Sequence, residues 1–205
     1  MAFVEWSDPL SQRIVIDWMV ISDNETARLF GDHLIEASRA FADSTSIGAG
    51  IDFAMAQLDQ APYEARRRVI DVSGDGDNNS GGDVTMARDE AIAKGVTING
   101  LVILTETPTG WNSYHTNPPG GLANYYRNNV IGGPGACVMV ADNFNSFSDV
   151  LVKKLIAEIA QAVPQQRAEI DAVAIKTKCP CIAQRGLVEA PRRFPSDTLG
   201  GPTPR

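Results

Sequence analysis

The chain of 205 residues contains only three cysteines and two histidines, which limits the sites it can build. Three cysteines supply neither a disulfide framework nor a zinc site with four thiolate ligands. Cys179 and Cys181 lie too close together for CxxC chemistry, so we interpret this pair as thiols without a catalytic or metal-binding role.

The chain also lacks an excess of basic residues and a long apolar run. A formal net charge of −7 disfavours non-specific binding to nucleic acid or to an anionic membrane surface. No apolar stretch approaches the eighteen residues expected of a transmembrane helix. The first residues, MAFVEWSD, do not have the pattern of a signal peptide.

Apolar and turn-forming residues alternate in a way that predicts an α/β fold. Residues 2–6 and 13–21 are rich in β-branched and aromatic side chains, which predicts an antiparallel pair of strands. The segment from Ser22 to Glu25 is typical of a capping box and predicts a helix to about residue 39, with Leu29, Phe30, Leu34 and Ile35 on its buried face. Strands and helices then alternate, with predicted helices at about 46–59, 83–94, 122–127 and 146–161 and strands at 69–72, 97–104 and 137–141.

This alternation requires crossover connections, and therefore predicts a mostly parallel, doubly wound sheet with helices on both faces. We expect this domain to span residues 1–162. From residue 163 to 205 the periodicity disappears and proline and arginine increase, which predicts a flexible tail.

The stretch VIDVSGDGDNNSGGD, residues 69–83, ends an apolar strand in a loop that contains several carboxylates. It lacks the lysine of a phosphate-binding P-loop, and Asn79 replaces the third glycine of a dinucleotide fingerprint. Ser80 replaces the turn glycine of an EF-hand, and no glycine stands two residues before Ser73 as a nucleophile elbow requires. His33 and His115 are interpreted as surface or core-edge residues.

Two kinds of site remain for this loop. The first is the nucleophile of a phosphatase similar to the haloacid dehalogenases, in which Asp75 begins a DxDxT motif, although Asn79 replaces the threonine. The second is a metal-ion-dependent adhesion site, in which hydroxyls and carboxylates hold a divalent cation at the carboxyl end of a parallel sheet.

Several segments, taken in order, resemble a von Willebrand factor type A-like domain. MAFVEWSD with IVIDWMVI is similar to the second and third strands of that fold, and STSIGAGIDFA to its threonine-bearing loop and the helix that follows. RRVIDVSGDGDNN and GVTINGLVIL resemble its fourth and fifth strands. ANYYRNNVIGGPGACVMVADNF also resembles a bacterial branch, domain-of-unknown-function family 1194. The resemblance implies that Thr45 and Asp75 are metal ligands.

The resemblance also indicates what is missing. No DxSxS motif occurs anywhere in the chain, and the nearest string, DVSGD, ends in aspartate. The family carries DxSxS after a central first strand, and this chain resembles the fold only from the second strand onward. We therefore expect the domain to lack that strand and three of five ligands, because the protein is truncated or its start is misassigned.

The sequence thus predicts a protein-interaction module rather than an enzyme. When complete, it would hold Mg²⁺ or Mn²⁺ and bind an acidic group on a protein partner. The alternatives left open are a metal-free interaction scaffold and the phosphatase that uses Asp75. The oligomeric state is not predicted, and the family resemblance implies an exported protein, either periplasmic or secreted.

Overall fold

The molecule contains a two-stranded hairpin, a three-stranded parallel sheet and the helices that connect and cover them. The structure is a computed structural model and describes residues 1–41, 44–104 and 113–143, together with residues 146, 147 and 150. The predicted tail and nearly all of the predicted helix at 146–161 lie outside the described residues.

Strands β1 (Phe3–Trp6) and β2 (Gln12–Ile16) form the predicted antiparallel pair. Their connection is a turn in which the amide of Leu10 donates to Oδ1 of Asp8 at 2.8 Å. The strand at 13–21 was predicted too long, because pairing with β1 ends at Ile16.

Helix α1 (Asn24–Glu36) begins one residue later than the sequence pattern indicates. Asp23, rather than Ser22, is its N-cap, and the reciprocal partner is Thr26 rather than Glu25. The predicted buried face is only partly correct. Phe30 is buried, but Leu29 and Ile35 are 47% and 85% exposed.

Helix α2 (Ile47–Asp59) packs against both the hairpin and the parallel sheet, and three of its four predicted core residues, Ile47, Ile51 and Met55, are buried. The fourth, Leu58, is partly buried against the same core. Gly50 allows the helix to approach β1, since a Cβ atom there would lie only 3.0 Å from the indole of Trp6.

The parallel sheet has the order β3 (Arg68–Gly74), β4 (Val96–Ile103) and β5 (Val138–Ala141). Helix α3 (Val84–Ala93) connects β3 to β4 and stops before Gly95, whose φ of +77° suits glycine. Every residue of β4 is buried, which means that both faces of this central strand are covered.

Two short helices follow β4, namely α4 (Ser113–Thr116) and α5 (Leu122–Tyr125). The second continues as a π-helical turn, Tyr126–Val130, which the sequence pattern did not indicate. Tyr126 is fully buried and lies on Gly100 of β4, where a Cβ atom would be 2.9 Å from its Cδ1.

A large apolar groove separates β1 from β3. It has a volume of about 970 Å³ and is lined by the β1 residues Phe3, Val4 and Trp6, by α1 and α2 side chains, and by residues 68–73 of β3. Within the described residues, β1 pairs only with β2 and β3 only with β4. We call this space the strand groove, because an unpaired strand edge borders it on each side.

Candidate metal site at the carboxyl end of strand β3

Two loops meet at the carboxyl end of β3, and they contain the two predicted metal ligands. The amides of Asn79 and Ser80 donate to the carbonyl of Thr45 at 2.9 and 3.1 Å. In return, the amide of Thr45 donates to Oδ1 of Asn79 at 2.8 Å. The Thr45 loop is therefore joined along its backbone to the loop that begins with Asp75.

Asn78 fixes the shape of the acidic loop. Its Oδ1 accepts from the amide of Gly48 in the first turn of α2, at 3.2 Å. Its Nδ2 donates to the carbonyls of Ser80 and Gly82, and its own amide donates to the hydroxyl of Tyr125. These bonds satisfy loop groups that would otherwise be unpaired, so Asn78 has a structural role.

The hydroxyl of Thr45 forms a hydrogen bond with the imidazole of His115. The distance from Oγ1 to Nε2 is 3.1 Å, and the other ring nitrogen, Nδ1, lies 2.5 Å from Oδ1 of Asp77. The side chains of His115 and Asp77 are only 15% and 26% exposed. The interpretation of His115 as a surface or core-edge residue was therefore incomplete.

Asp75 is half-buried at the end of β3, and its carboxylate makes no side-chain hydrogen bond to any residue that the structure describes. The fully buried hydroxyl of Tyr126 lies against Gly74, 2.5 Å from where a Cβ atom would stand. Burial raises the pKa of Tyr126, and the nearby charge of Asp75 raises it further. The phenol is thus neutral at physiological pH.

The structure does not bring Thr45 and Asp75 into direct hydrogen-bonding contact, but it places them on adjoining loops. Sequence reasoning missed His115, because a single histidine in a loop forty residues from Asp75 has no local pattern to distinguish it. It also missed Tyr125 and Tyr126, whose YY pair reads as part of an ordinary helix.

The donor atoms fit a hard cation in kind but not in number. The hydroxyl of Thr45 and the carboxylate of Asp75 are oxygen ligands of the type that Mg²⁺ prefers, and Mg²⁺ takes six. Among the residues that the structure describes, no group of three or more His, Cys, Asp or Glu side chains is arranged to hold a metal ion. Further ligands must come from water or from elsewhere.

A solved structure of another protein shares this fold. The structure of proximal thread matrix protein 1 from the mussel byssus has a TM-score of 0.51 and 17% identity, with 78% of this chain and 34% of that protein covered. This chain therefore spans about a third of the mussel protein. At this identity the likeness concerns the fold alone, a von Willebrand factor type A-like α/β fold.

Two further structures have lower TM-scores. The same mussel protein with a zinc-occupied metal-ion-dependent adhesion site has a TM-score of 0.49 and 16% identity, covering 78% of this chain and 35% of that one. An aerotolerance-related membrane protein from Bacteroides fragilis has a TM-score of 0.47 and 21% identity, with 78% of each chain covered.

The family of the chain follows from its sequence. No curated protein matches it. The model of one family, described as a protein of unknown function (DUF1194), matches residues 1–163, which is most of the chain. In the part that the structure describes, no helix is both long and apolar enough to cross a membrane. The chain belongs to the DUF1194 family.

Proposed function

We propose that this protein is a metal-dependent protein-interaction module that holds Mg²⁺ or Mn²⁺ and binds an acidic group on a partner. The observation that carries this proposal is the hydrogen-bonded junction between the Thr45 loop and the loop that begins with Asp75. In parallel α/β sheets, ligands bind at the carboxyl ends of the strands, which is where this junction lies.

The chemistry of the two side chains supports this role. The carboxylate of Asp75 has no side-chain hydrogen bond within the described residues, so it is available to a cation or to a water molecule bound to one. The hydroxyl of Thr45 lies on the adjoining loop, half-buried. A cation with water at its remaining positions can exchange that water for a carboxylate of the partner.

We further propose that the missing ligands arrive with a strand that fills the strand groove. The groove is largely apolar, and the edges of β1 and β3 that border it are unpaired within the described residues, so a strand placed between them would hydrogen-bond on both sides. Its carboxyl end would reach the Thr45 and Asp75 loops if it ran parallel to β3. We propose that this strand ends in the DxSxS motif that the family resemblance implies.

Calorimetric titration with Mg²⁺ and Mn²⁺ tests this function. The 205-residue chain is compared with a chain extended upstream by the translated DNA. We expect much tighter binding in the extended chain, and Asp75→Asn and Thr45→Ala should each weaken it at least tenfold. Asp32→Asn, at an exposed carboxylate of α1, is the matched control and should change nothing.

The same titration, together with a hydrolysis assay, separates the alternatives. A metal-free scaffold would bind neither cation, even in the extended chain. A phosphatase would hydrolyse a generic phosphate ester, and Asp75→Asn would abolish that turnover while Thr45→Ala would not. Either outcome would contradict the metal-dependent module.

The resemblance also implies an exported protein, so periplasmic recovery of the extended chain is a further expectation.

A further inference from the structure

Two hydroxyl groups beside the strand groove are buried without a partner. Among the residues that the structure describes, the hydroxyls of Tyr126 and Ser46 have no hydrogen-bond partner, and neither residue is exposed to solvent. Folded proteins pair nearly all of their buried polar groups, because an unpaired one has lost its water without any compensating hydrogen bond. Each of these hydroxyls therefore indicates a group that belongs beside it.

The hydroxyl of Tyr126 lies at the end of the groove where β1 and β3 stop. A Cβ atom on Gly74, the last residue of β3, would be 2.5 Å from this hydroxyl and 3.9 Å from Cη2 of Trp6, the last residue of β1. Trp6 itself lines the groove, and so does Ser73, the neighbour of Gly74. The phenol is thus next to the carboxyl end of β3 and close to that of β1.

Ser46 is held against the end of β1, and its usual partner is taken by another residue. Its amide donates to the carbonyl of Ser7, which directly follows β1, at 2.8 Å. As the N-cap of α2 it would ordinarily accept from an amide of the first turn, but it makes no such bond. Oδ1 of Asn78 accepts from the amide of Gly48 instead, at 3.2 Å. The hydroxyl of Ser46 is therefore available to another group.

We propose that the hydroxyls of Tyr126 and Ser46 hold the carboxyl end of the strand that fills the strand groove. This inference rests on the proposed function, because it concerns the same strand. A strand that runs parallel to β3 leaves the groove at the end where both hydroxyls lie, and its carboxyl end brings acceptor oxygens there. The phenol of Tyr126 suits a donor, because burial raises its pKa and keeps the proton on the oxygen.

Urea unfolding of the 205-residue chain and of the upstream-extended chain, each with and without Tyr126→Phe, tests the proposal. In the shorter chain the substitution should leave the midpoint urea concentration unchanged or raise it, because the hydroxyl has no partner to lose among the described residues. In the extended chain it should lower the midpoint by about 0.3–1 M, the effect of one hydrogen bond at a typical urea slope. Ser46→Ala should show the same contrast.

Two substitutions serve as matched controls. Tyr125→Phe removes the acceptor for the amide of Asn78, and Ser7→Ala removes the donor to the carbonyl of Ser44. Both hydrogen bonds lie within the shorter chain. Each control should therefore lower the midpoint by the same amount in the two chains.

The outcomes separate this inference from the proposed function. An equal loss in both chains on Tyr126→Phe would overturn it, because the partner would then be water or a group already present in the shorter chain. If the extended chain is more stable and binds less hydrophobic dye but does not respond to Tyr126→Phe, the strand stands and the hydroxyl contact falls. If the extension changes neither stability nor dye binding, both fall.

A spectroscopic measurement on the unsubstituted chains gives a second readout. In protein labelled with ¹³C-tyrosine, the Cζ resonance responds to the hydrogen bond of the phenol. The resonance of Tyr126 should differ between the two chains, whereas that of Tyr125, whose hydroxyl accepts from Asn78 in both, should change less. An unmoved Tyr126 resonance would overturn the proposal.

Discussion

Glu5 connects β1 to the segment that follows α1. Its carboxylate accepts hydrogen bonds from the amides of Ala40 and Phe41 at 2.7 and 3.1 Å, and from Arg13 Nε at 2.8 Å. Desolvation raises the pKa of Glu5, but these hydrogen bonds together outweigh it and hold the pKa below its ordinary value of 4.5. The ionised form is therefore the one that stabilises the fold.

We expect Glu5→Gln to lower the free energy of unfolding by about 1–3 kcal/mol at pH 7. Because the pKa is lower in the folded protein, this stabilisation exists above pH 4.5 and is lost as the pH falls through the folded value. Urea unfolding at pH 7 and pH 3 measures the difference. The difference should be smaller at pH 3 than at pH 7, and the exposed control Glu64→Gln should show no effect at either pH.

Tyr126 buries a hydroxyl that has no hydrogen-bond partner among the described residues. We therefore expect Tyr126→Phe to leave the free energy of unfolding unchanged at pH 7 or to raise it by about 1 kcal/mol. The matched control is Tyr125→Phe, which removes the acceptor for the amide of Asn78 and should lower stability.

The pH dependence of Tyr126 gives a second readout. Burial raises the pKa of Tyr126 in the folded protein, so the unfolded chain ionises first. The free energy of unfolding is therefore not reduced below pH 10 and falls as the pH rises above it. Between pH 9 and pH 11, the free energy of unfolding should fall less steeply with pH for Tyr126→Phe than for the unsubstituted protein. An equal slope would contradict this account of the buried phenol.

At the scale of elements, the apolar periodicity located helices and strands better than it identified their buried residues. For α2 the predicted face is buried or partly buried, because the parallel sheet lies opposite. For α1 the same kind of pattern leaves Leu29 and Ile35 exposed, while Phe30 and Leu34 line the strand groove. Periodicity indicates that a helix has an apolar face, but burial requires another element against it.

Two glycine-to-alanine substitutions should have opposite effects because of the elements that contain them. In α1, a Cβ atom on Gly31 would have open space around it, so Gly31→Ala should raise the free energy of unfolding by about 0.5–1 kcal/mol. In β4, a Cβ atom on Gly100 would lie 2.9 Å from Tyr126 and 3.2 Å from Ile131, so Gly100→Ala should lower it by about 1–3 kcal/mol.

Urea unfolding of the two variants at the same pH measures both effects. A loss of stability in Gly31→Ala would mean that α1 packs more closely than the structure describes. If Gly100→Ala left the free energy of unfolding unchanged, Tyr126 would have to be able to move away from β4.

At the scale of the whole molecule, the strand groove separates the two-stranded hairpin from the three-stranded parallel sheet. Its lining is largely apolar, and both strands that border it keep an unpaired edge within the described residues. Such edges favour association with another strand. The stability of the described fold should therefore depend on whether a strand occupies this groove.

If the proposed strand occupies the strand groove, a chain extended upstream by it should bind less of a hydrophobic dye than the 205-residue chain and should unfold at a higher urea concentration. Each aliphatic side chain that the added strand buries contributes about 1.5–3 kcal/mol. The control is the same extension with two prolines in the added strand, which cannot donate to the neighbouring edges. Equal dye binding by both extended chains would contradict strand insertion.

The local sequence determined the order of helices and strands and the parallel sheet, because capping and apolar periodicity depend on a few neighbouring residues. The candidate ligands Thr45 and Asp75 came from the family resemblance and stay a prediction. Only the tertiary structure decided that His115 meets Thr45 and Asp77, that Tyr126 lies on Gly100, and that a groove separates β1 from β3. These contacts join residues about thirty to seventy positions apart. Their formation depends on how whole elements pack, which no local pattern records.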